Sequence, residues 1–267
     1  MRKFIVILVL GLISISCEDV IDVDLNEAAP RLVIESNINI SVEDGAPIHS
    51  LVRLTTTAPF FDDTVPVVAD ASVKITDEFG NDFRFTYMEE GFYFTNFSPQ
   101  QNVDYTLQIT YKNEIYTSTT NLVPTSQLAY VVQRNDGGFF GDQIELKAYF
   151  PDPIGQENFY FFTATSERGI RRAVYSDDFY EGNEMFGSYS ADDLEPEDEV
   201  QFSLYGISEE FYNYMFILLQ QTGGGGGPFE TQPATVKGNI INETNPENFP
   251  LGYFRMSEIS ILDYTVE

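Results

Sequence analysis

The stretch from Tyr105 to Leu122, YTLQITYKNEIYTSTTNL, decides the fold. Tyr105, Leu107, Ile109 and Tyr111 alternate with Thr106, Gln108 and Thr110, so an extended chain carries its large apolar groups on one face. Lys112-Asn113 supplies a tight turn, and Glu114 to Leu122 runs back beside the first strand. The Tyr, Thr and Ile that fill both arms are strand formers. The same pattern extends upstream. Leu32-Val33-Ile34 opens a series of strands, Val52 to Thr57 continues it, and Ser72 to Thr76 alternates before a turn at Gly80-Asn81. Phe83 to Tyr87 answers that strand, and Glu90-Gly91 turns the chain into Phe92-Tyr93-Phe94. About seven short strands in about 90 residues predict an Ig-like β-sandwich over residues 31–123, without the cysteine pair of antibody domains.

Val123-Pro124 closes that unit, because proline interrupts strand pairing. Residues 124–267 read as a second β-rich domain with one covering helix. Its expected strands are Ile144 to Phe150, Phe159 to Thr165, Ile170 to Tyr175, Val200 to Tyr205, Val236 to Ile241, Leu251 to Met256 and Ile259 to Val266. Glu181 to Glu199 is acidic and polar and is expected to loop out. The helix is expected over 208–221. Ser208 is its N-cap, Glu209-Glu210 suit the positive end of the helix dipole, and Gly223 can terminate it. Phe211, Tyr214, Met215, Leu218 and Leu219 form one apolar stripe, read as core packing against a sheet. Gly223 to Gly227 lacks the Lys-Ser/Thr of a phosphate loop and reads as a flexible connection.

Composition narrows the chemistry. The chain has 42 acidic against 14 basic side chains and a formal charge of −28, which disfavours nucleic acid and bare anionic lipid as partners. One cysteine, Cys17, and one histidine, His49, leave no material for a multi-imidazole or cysteine zinc site, and they make a Ser-His-Asp triad improbable. His49 sits in the loop-like stretch Ala46-Pro47-Ile48-His49 and reads as an exposed or packed histidine. The acidic runs Asp177-Asp178 with Glu181 and Glu184, and Asp192-Asp193 with Glu195, Glu197, Asp198 and Glu199, do not match a calcium-loop pattern and read as solvated loops. A carboxylate pair for glycoside hydrolysis needs a fixed separation that sequence does not give. No catalytic, cofactor or metal residue is therefore assigned, and the ligand is left open.

The N-terminus gives the address. Arg2 and Lys3, the apolar run from Phe4 to Ile13 and the small residues Ser14-Ile15-Ser16 form a signal peptide over residues 1–16. The run is shorter than the roughly 20 residues needed to span a bilayer. Cys17 directly after it resembles the acylated cysteine of a bacterial lipoprotein lipobox, although Ser14 stands where Leu is usual. The alternative, simple cleavage, leaves a free thiol in an oxidising compartment. Lipid attachment at Cys17 is thus expected, followed by an acidic tether over 17–30. Glu18-Asp19 weakly resembles the tag for display on the outer face of the outer membrane.

Several phrases carry a family resemblance. They are Cys17-Glu18-Asp19-Val20-Ile21-Asp22-Val23-Asp24-Leu25, Leu32-Val33-Ile34-Glu35, Pro228-Phe229, Val236-Lys237-Gly238-Asn239-Ile240, Asn245-Pro246 and Leu251-Gly252-Tyr253-Phe254. In order and spacing they resemble the Bacteroidota outer-membrane lipoproteins grouped as domain of unknown function 4249, over nearly the whole mature chain. The resemblance implies a non-enzymatic lipoprotein anchored in the outer membrane, on its cell-surface face. It also implies a TonB-dependent outer-membrane barrel as partner. The family carries no catalytic residues over. Gly238-Asn239 and Gly252-Tyr253-Phe254 are assigned to structure before ligand contact. A structural or adhesive surface module is the first alternative, and a carboxylate-based hydrolase the second.

Overall fold

The structure, a computed structural model, describes residues 29–59, 62, 64–137, 141–178, 182–222 and 235–267. Cys17, the expected signal peptide, most of the expected tether, Glu181 and the glycine run lie outside them. Among the described residues the chain forms sixteen strands and one helix, so it is mainly β as expected.

The first sandwich is built from β1 (Leu32–Ser41), β2 (Pro47–Thr56), β3 (Ser72–Asp77), β4 (Asp82–Arg84), β5 (Thr86–Tyr87), β6 (Phe92–Phe94), β7 (Asp104–Tyr111) and β8 (Glu114–Val123). One face runs β5-β6-β2-β1, and the other runs β4-β3-β7-β8. Ile34, Ile38, Val52 and Leu54 from one face meet Ile75, Leu107, Ile109 and Tyr116 from the other in a single core. The β7–β8 hairpin matches its sequence reading. Lys112 and Asn113 both have positive φ, 49° and 63°, the geometry of a two-residue hairpin turn whose twist suits its strands.

The second sandwich begins at Tyr130. One face is β12 (Gly169–Ser176), β11 (Phe159–Ser166) and β14 (Glu199–Ile207). The other is β9 (Tyr130–Gly137), β10 (Gln143–Pro151) and β13 (Glu184–Tyr189). Phe150, Tyr160, Phe162 and Phe202 fill its core. Strand β9 turns Tyr130 and Val132 outward and Val131 and Gln133 inward, so apolar residues fall on both faces and no alternation is read from sequence. Strand β13 lies within the stretch expected to loop out. Its inward positions are Met185, Gly187 and Tyr189, and Gly187 is small because the Phe162 ring occupies the space a side chain would take. Helix α1 (Glu209–Thr222) follows β14, with Ser208 Oγ accepting the Phe211 N–H at 3.2 Å as the expected N-cap.

The two units share one strand. β16 (Leu251–Thr265) pairs parallel with β1 from Leu251 to Ile259, and antiparallel with β14 from Ile259 to Thr265. The sequence reads it as two strands, and the pairing makes it continuous. Residues 240–258 thus return to the first sandwich from beyond the Val123-Pro124 division. Ile240, Phe254 and Met256 lie in the first core, and β15 (Ile241–Asn242) pairs with β8. The expected strand at 236–241 is reduced to this end. In place of a ladder, the Asn239 amide donates to Phe254 O at 2.8 Å and accepts from Phe254 N at 2.9 Å.

The return is held at two points. At Gly252 φ is +97° and an added Cβ would strike the Ile34 carbonyl, while one on Gly238 would strike the Gly252 carbonyl. Beyond β15, Glu114 accepts from the Tyr116 hydroxyl at 2.5 Å, and from Asn248 at 2.7 Å, Asn242 at 3.1 Å and Asn245 at 3.3 Å. These donors, the Tyr116 hydroxyl foremost, hold the Glu114 carboxyl below the ordinary glutamate range.

Two predictions follow from these anchors. Gly252→Ala lowers stability in urea unfolding by about 2 kcal/mol or more, since it adds a collision to the left-handed backbone. Gly80→Ala, at φ +87° with open space around it, costs only about 1 kcal/mol. Glu114→Gln costs about 1 kcal/mol at neutral pH. Because the folded carboxyl titrates below the unfolded one, that difference is present above the unfolded value. It shrinks as pH falls through the folded one. A difference constant from pH 7 to 3 would show that the charge is not what fastens the segment.

Candidate functional site

The outer face of β1, β2 and β16 carries polar residues in register. Glu35 lies opposite Arg53 and Tyr253, Asn37 opposite Leu51 and Arg255, and Asn39 opposite His49 and Ser257. A sheet face of this kind ordinarily looks at water. Here it is roofed, because β14 leads Tyr205 over it and α1 lays Phe211, Tyr214 and Met215 against Tyr253. The helical stripe read from the sequence therefore does pack on a sheet, and its edge lines a cleft. Two adjoining hollows of about 350 and 500 Å³ share Glu35, Asn37 and Arg255. Those sizes suit a small molecule.

Arg255 is the centre of the cleft. It is 8% exposed, and its Nη1 donates to Asn39 Oδ1 at 3.0 Å and Ser257 Oγ at 2.8 Å. Both partners are neutral. Its Nε is buried without a hydrogen-bond partner among the described residues. The guanidinium lies 4.7 Å from the Tyr205 ring centroid and 5.4 Å from that of Phe211. Burial pulls its pKa down to about 10, and only the Tyr205 hydroxyl opposes that. It therefore remains a cation at neutral pH, and its hydrogen-bond acceptors among the described residues are neutral.

Arg53 stands beside it, 3.5 Å from Glu35 and 5.3 Å from the Phe92 ring centroid, also with a buried Nε that has no hydrogen-bond partner among the described residues. Its contact with Glu35 is half-exposed, 38% and 49%, and contributes little. Arg172 of β12 completes the rim. Three arginines thus line one cleft with Glu35, in a chain with a threefold excess of acids. The cleft can hold an anion.

The acidic runs are arranged differently. Arg168 ties Asp193, Glu195 and Asp198 together at 3.4, 3.5 and 3.0 Å, next to a depression of about 680 Å³ lined by Glu197, Glu199 and Asp263. That depression is larger than either hollow of the arginine cleft, but its clustered carboxylates repel anions. Asp177 is buried and accepts from Asn158 N at 2.9 Å. Among the described residues no group of three or more His, Cys, Asp or Glu could hold a metal ion. No described helix is long and apolar enough to cross a membrane. Sequence reasoning overlooked Arg53, Arg172 and Arg255. The only signal in the chain was an arginine in an otherwise apolar strand, Tyr253-Phe254-Arg255-Met256.

A family model described as "Domain of unknown function (DUF4249)" matches residues 18–260. A comparison with curated protein sequences returns no match. Among solved structures, the chain is similar to a two fibronectin type-III domain segment from chicken tenascin. It is 10% identical to it at a TM-score of 0.21, and the match covers 66% of this chain and 91% of that one.

The lone guanidinium has a measurable consequence. Removing a buried charge that lacks a counter-charge removes its desolvation cost along with its hydrogen bonds. Arg255→Met is expected to change unfolding free energy by less than about 1 kcal/mol, against the 3–5 kcal/mol typical of breaking a buried ion pair. A loss of the larger size would assign Arg255 to structure.

Proposed function

Since the chain belongs to the DUF4249 family, we propose that it is a non-catalytic lipoprotein held in the outer membrane by acyl chains on Cys17. On this reading it faces the cell surface and serves a TonB-dependent barrel as an accessory that captures cargo. The observation that carries the capture role is the roofed cleft between the two sandwiches. It is concave, with a polar hollow carrying convergent donors beside a larger, mainly apolar one, as ligand sites often are. The anchoring rests on residues 1–17 and the barrel on the family resemblance.

Tight anchoring takes more than one acyl chain, so the attachment is tested directly. Cys17→Ala should shift the protein from the outer-membrane fraction to the soluble periplasmic fraction. Protein that stays in the membrane after this change would overturn the lipid anchor. The wild-type protein, tagged and extracted from outer membranes in mild detergent, should bring a TonB-dependent barrel in near-equal amount. Its absence would favour the second reading, a structural or adhesive surface module. That reading has its own observation, a row of rings on the outer face of β9-β10-β13. There Tyr130 lies 5.0 Å from Tyr149, and Tyr149 lies 5.4 Å from Phe186.

A further inference from the structure

We infer that the arginine cleft binds a small molecule bearing a carboxylate on an apolar body, and that Arg255 receives the carboxylate. For its purpose this rests on the capture role proposed above; the binding itself is a property of the isolated protein. The carboxylate assignment follows from what Arg255 lacks. A guanidinium carries five donors in a planar fork that matches a carboxylate in bidentate fashion. Nη1 is committed to Asn39 and Ser257, which fixes the plane of the group. Nε has no partner. A buried, oriented and uncompensated cation is costly to a fold, and an incoming oxyanion removes that cost.

The rest of the cleft selects the kind of anion. Arg53 and Arg172 add positive charge, and Glu35 subtracts one. This balance favours one or two negative charges over a polyanion, which the strongly acidic remainder of the chain would also repel. Phe161, Met215 and Leu218 line the adjoining hollow and accept an apolar or aromatic tail of limited size. A bare inorganic anion would leave that hollow empty.

The test uses the full-length lipoprotein in detergent and a panel of alkyl and aryl monocarboxylates from butyrate to dodecanoate, including phenylacetate. The matched primary amides and inorganic phosphate serve as comparators. Binding is read by isothermal calorimetry and thermal shift. The expected result is that at least one carboxylate binds, with its amide weaker by about tenfold or more, a difference of about 1.4 kcal/mol. Arg255→Met should abolish the preference for acid over amide. The exposed-rim variant Arg172→Gln, which cannot disturb the core, should weaken carboxylate binding several-fold. Acid and amide binding alike, phosphate binding as well as any carboxylate, or no binding to any member of the panel would each overturn the assignment. Barrel co-purification is read separately. A barrel without carboxylate binding leaves the accessory role standing and removes this ligand, and carboxylate binding without a barrel does the reverse.

Discussion

The structure depends on one strand that is buried on both faces over its first half. Between Tyr253 and Ser257, β16 gives Phe254 and Met256 to the first core and turns Tyr253, Arg255 and Ser257 toward helix α1 and β14. Such a strand has no solvent face, so each residue must find protein partners for its side chain. The apolar ones do so by packing. Arg255 does so only in part, and the shortfall in its hydrogen bonding is what marks the cleft.

Sharing β16 also fixes the two sandwiches relative to one another. An ordinary linker between β-modules leaves their angle free, and relative motion is then the default. Here a continuous backbone ladder passes from one unit to the other. The linker is fastened as well. Glu258 Oε2 accepts from Thr125 N at 3.2 Å, Ser260 Oγ accepts from Leu128 N at 2.9 Å, and Gly206 is small because Pro124 lies against it. The walls of the cleft come from both units, so this rigidity pre-forms it. A pre-formed site spends little of its binding free energy on ordering side chains and loops.

The glycines and asparagines of the returning segment have the same origin. Gly238 and Gly252 allow two backbones to touch, and Asn239 substitutes its amide for a missing ladder at Phe254. Glu114, with three asparagine side chains and a tyrosine hydroxyl around it, fixes the loop after β15. These residues carry much of the family resemblance, and their work here is structural. They bring residues 240–258 back across the molecule, and that return is what places Arg255 beside Arg53.

Local periodicity determined the strands that alternate and the helix that is striped. The β7–β8 hairpin, β11, β14 and α1 were legible because each has one apolar face and one polar face, a property of a few consecutive residues. Strand β9 was not legible, since it turns Tyr130 and Val132 outward and Gln133 inward, nor was β13, whose central inward residue is a glycine shaped by the Phe162 ring from another strand. The lipid attachment proposed at Cys17 rests on sequence signals alone. The cleft leaves one faint trace in the sequence, Arg255 within the apolar stretch Tyr253 to Met256. Arg53, Arg172 and Arg255 are far apart in the chain, and they converge only because β16 pairs with β1 on one side and β14 on the other. Long-range pairing of this kind is decided by the packing of whole sheets and leaves no mark on any short stretch of residues.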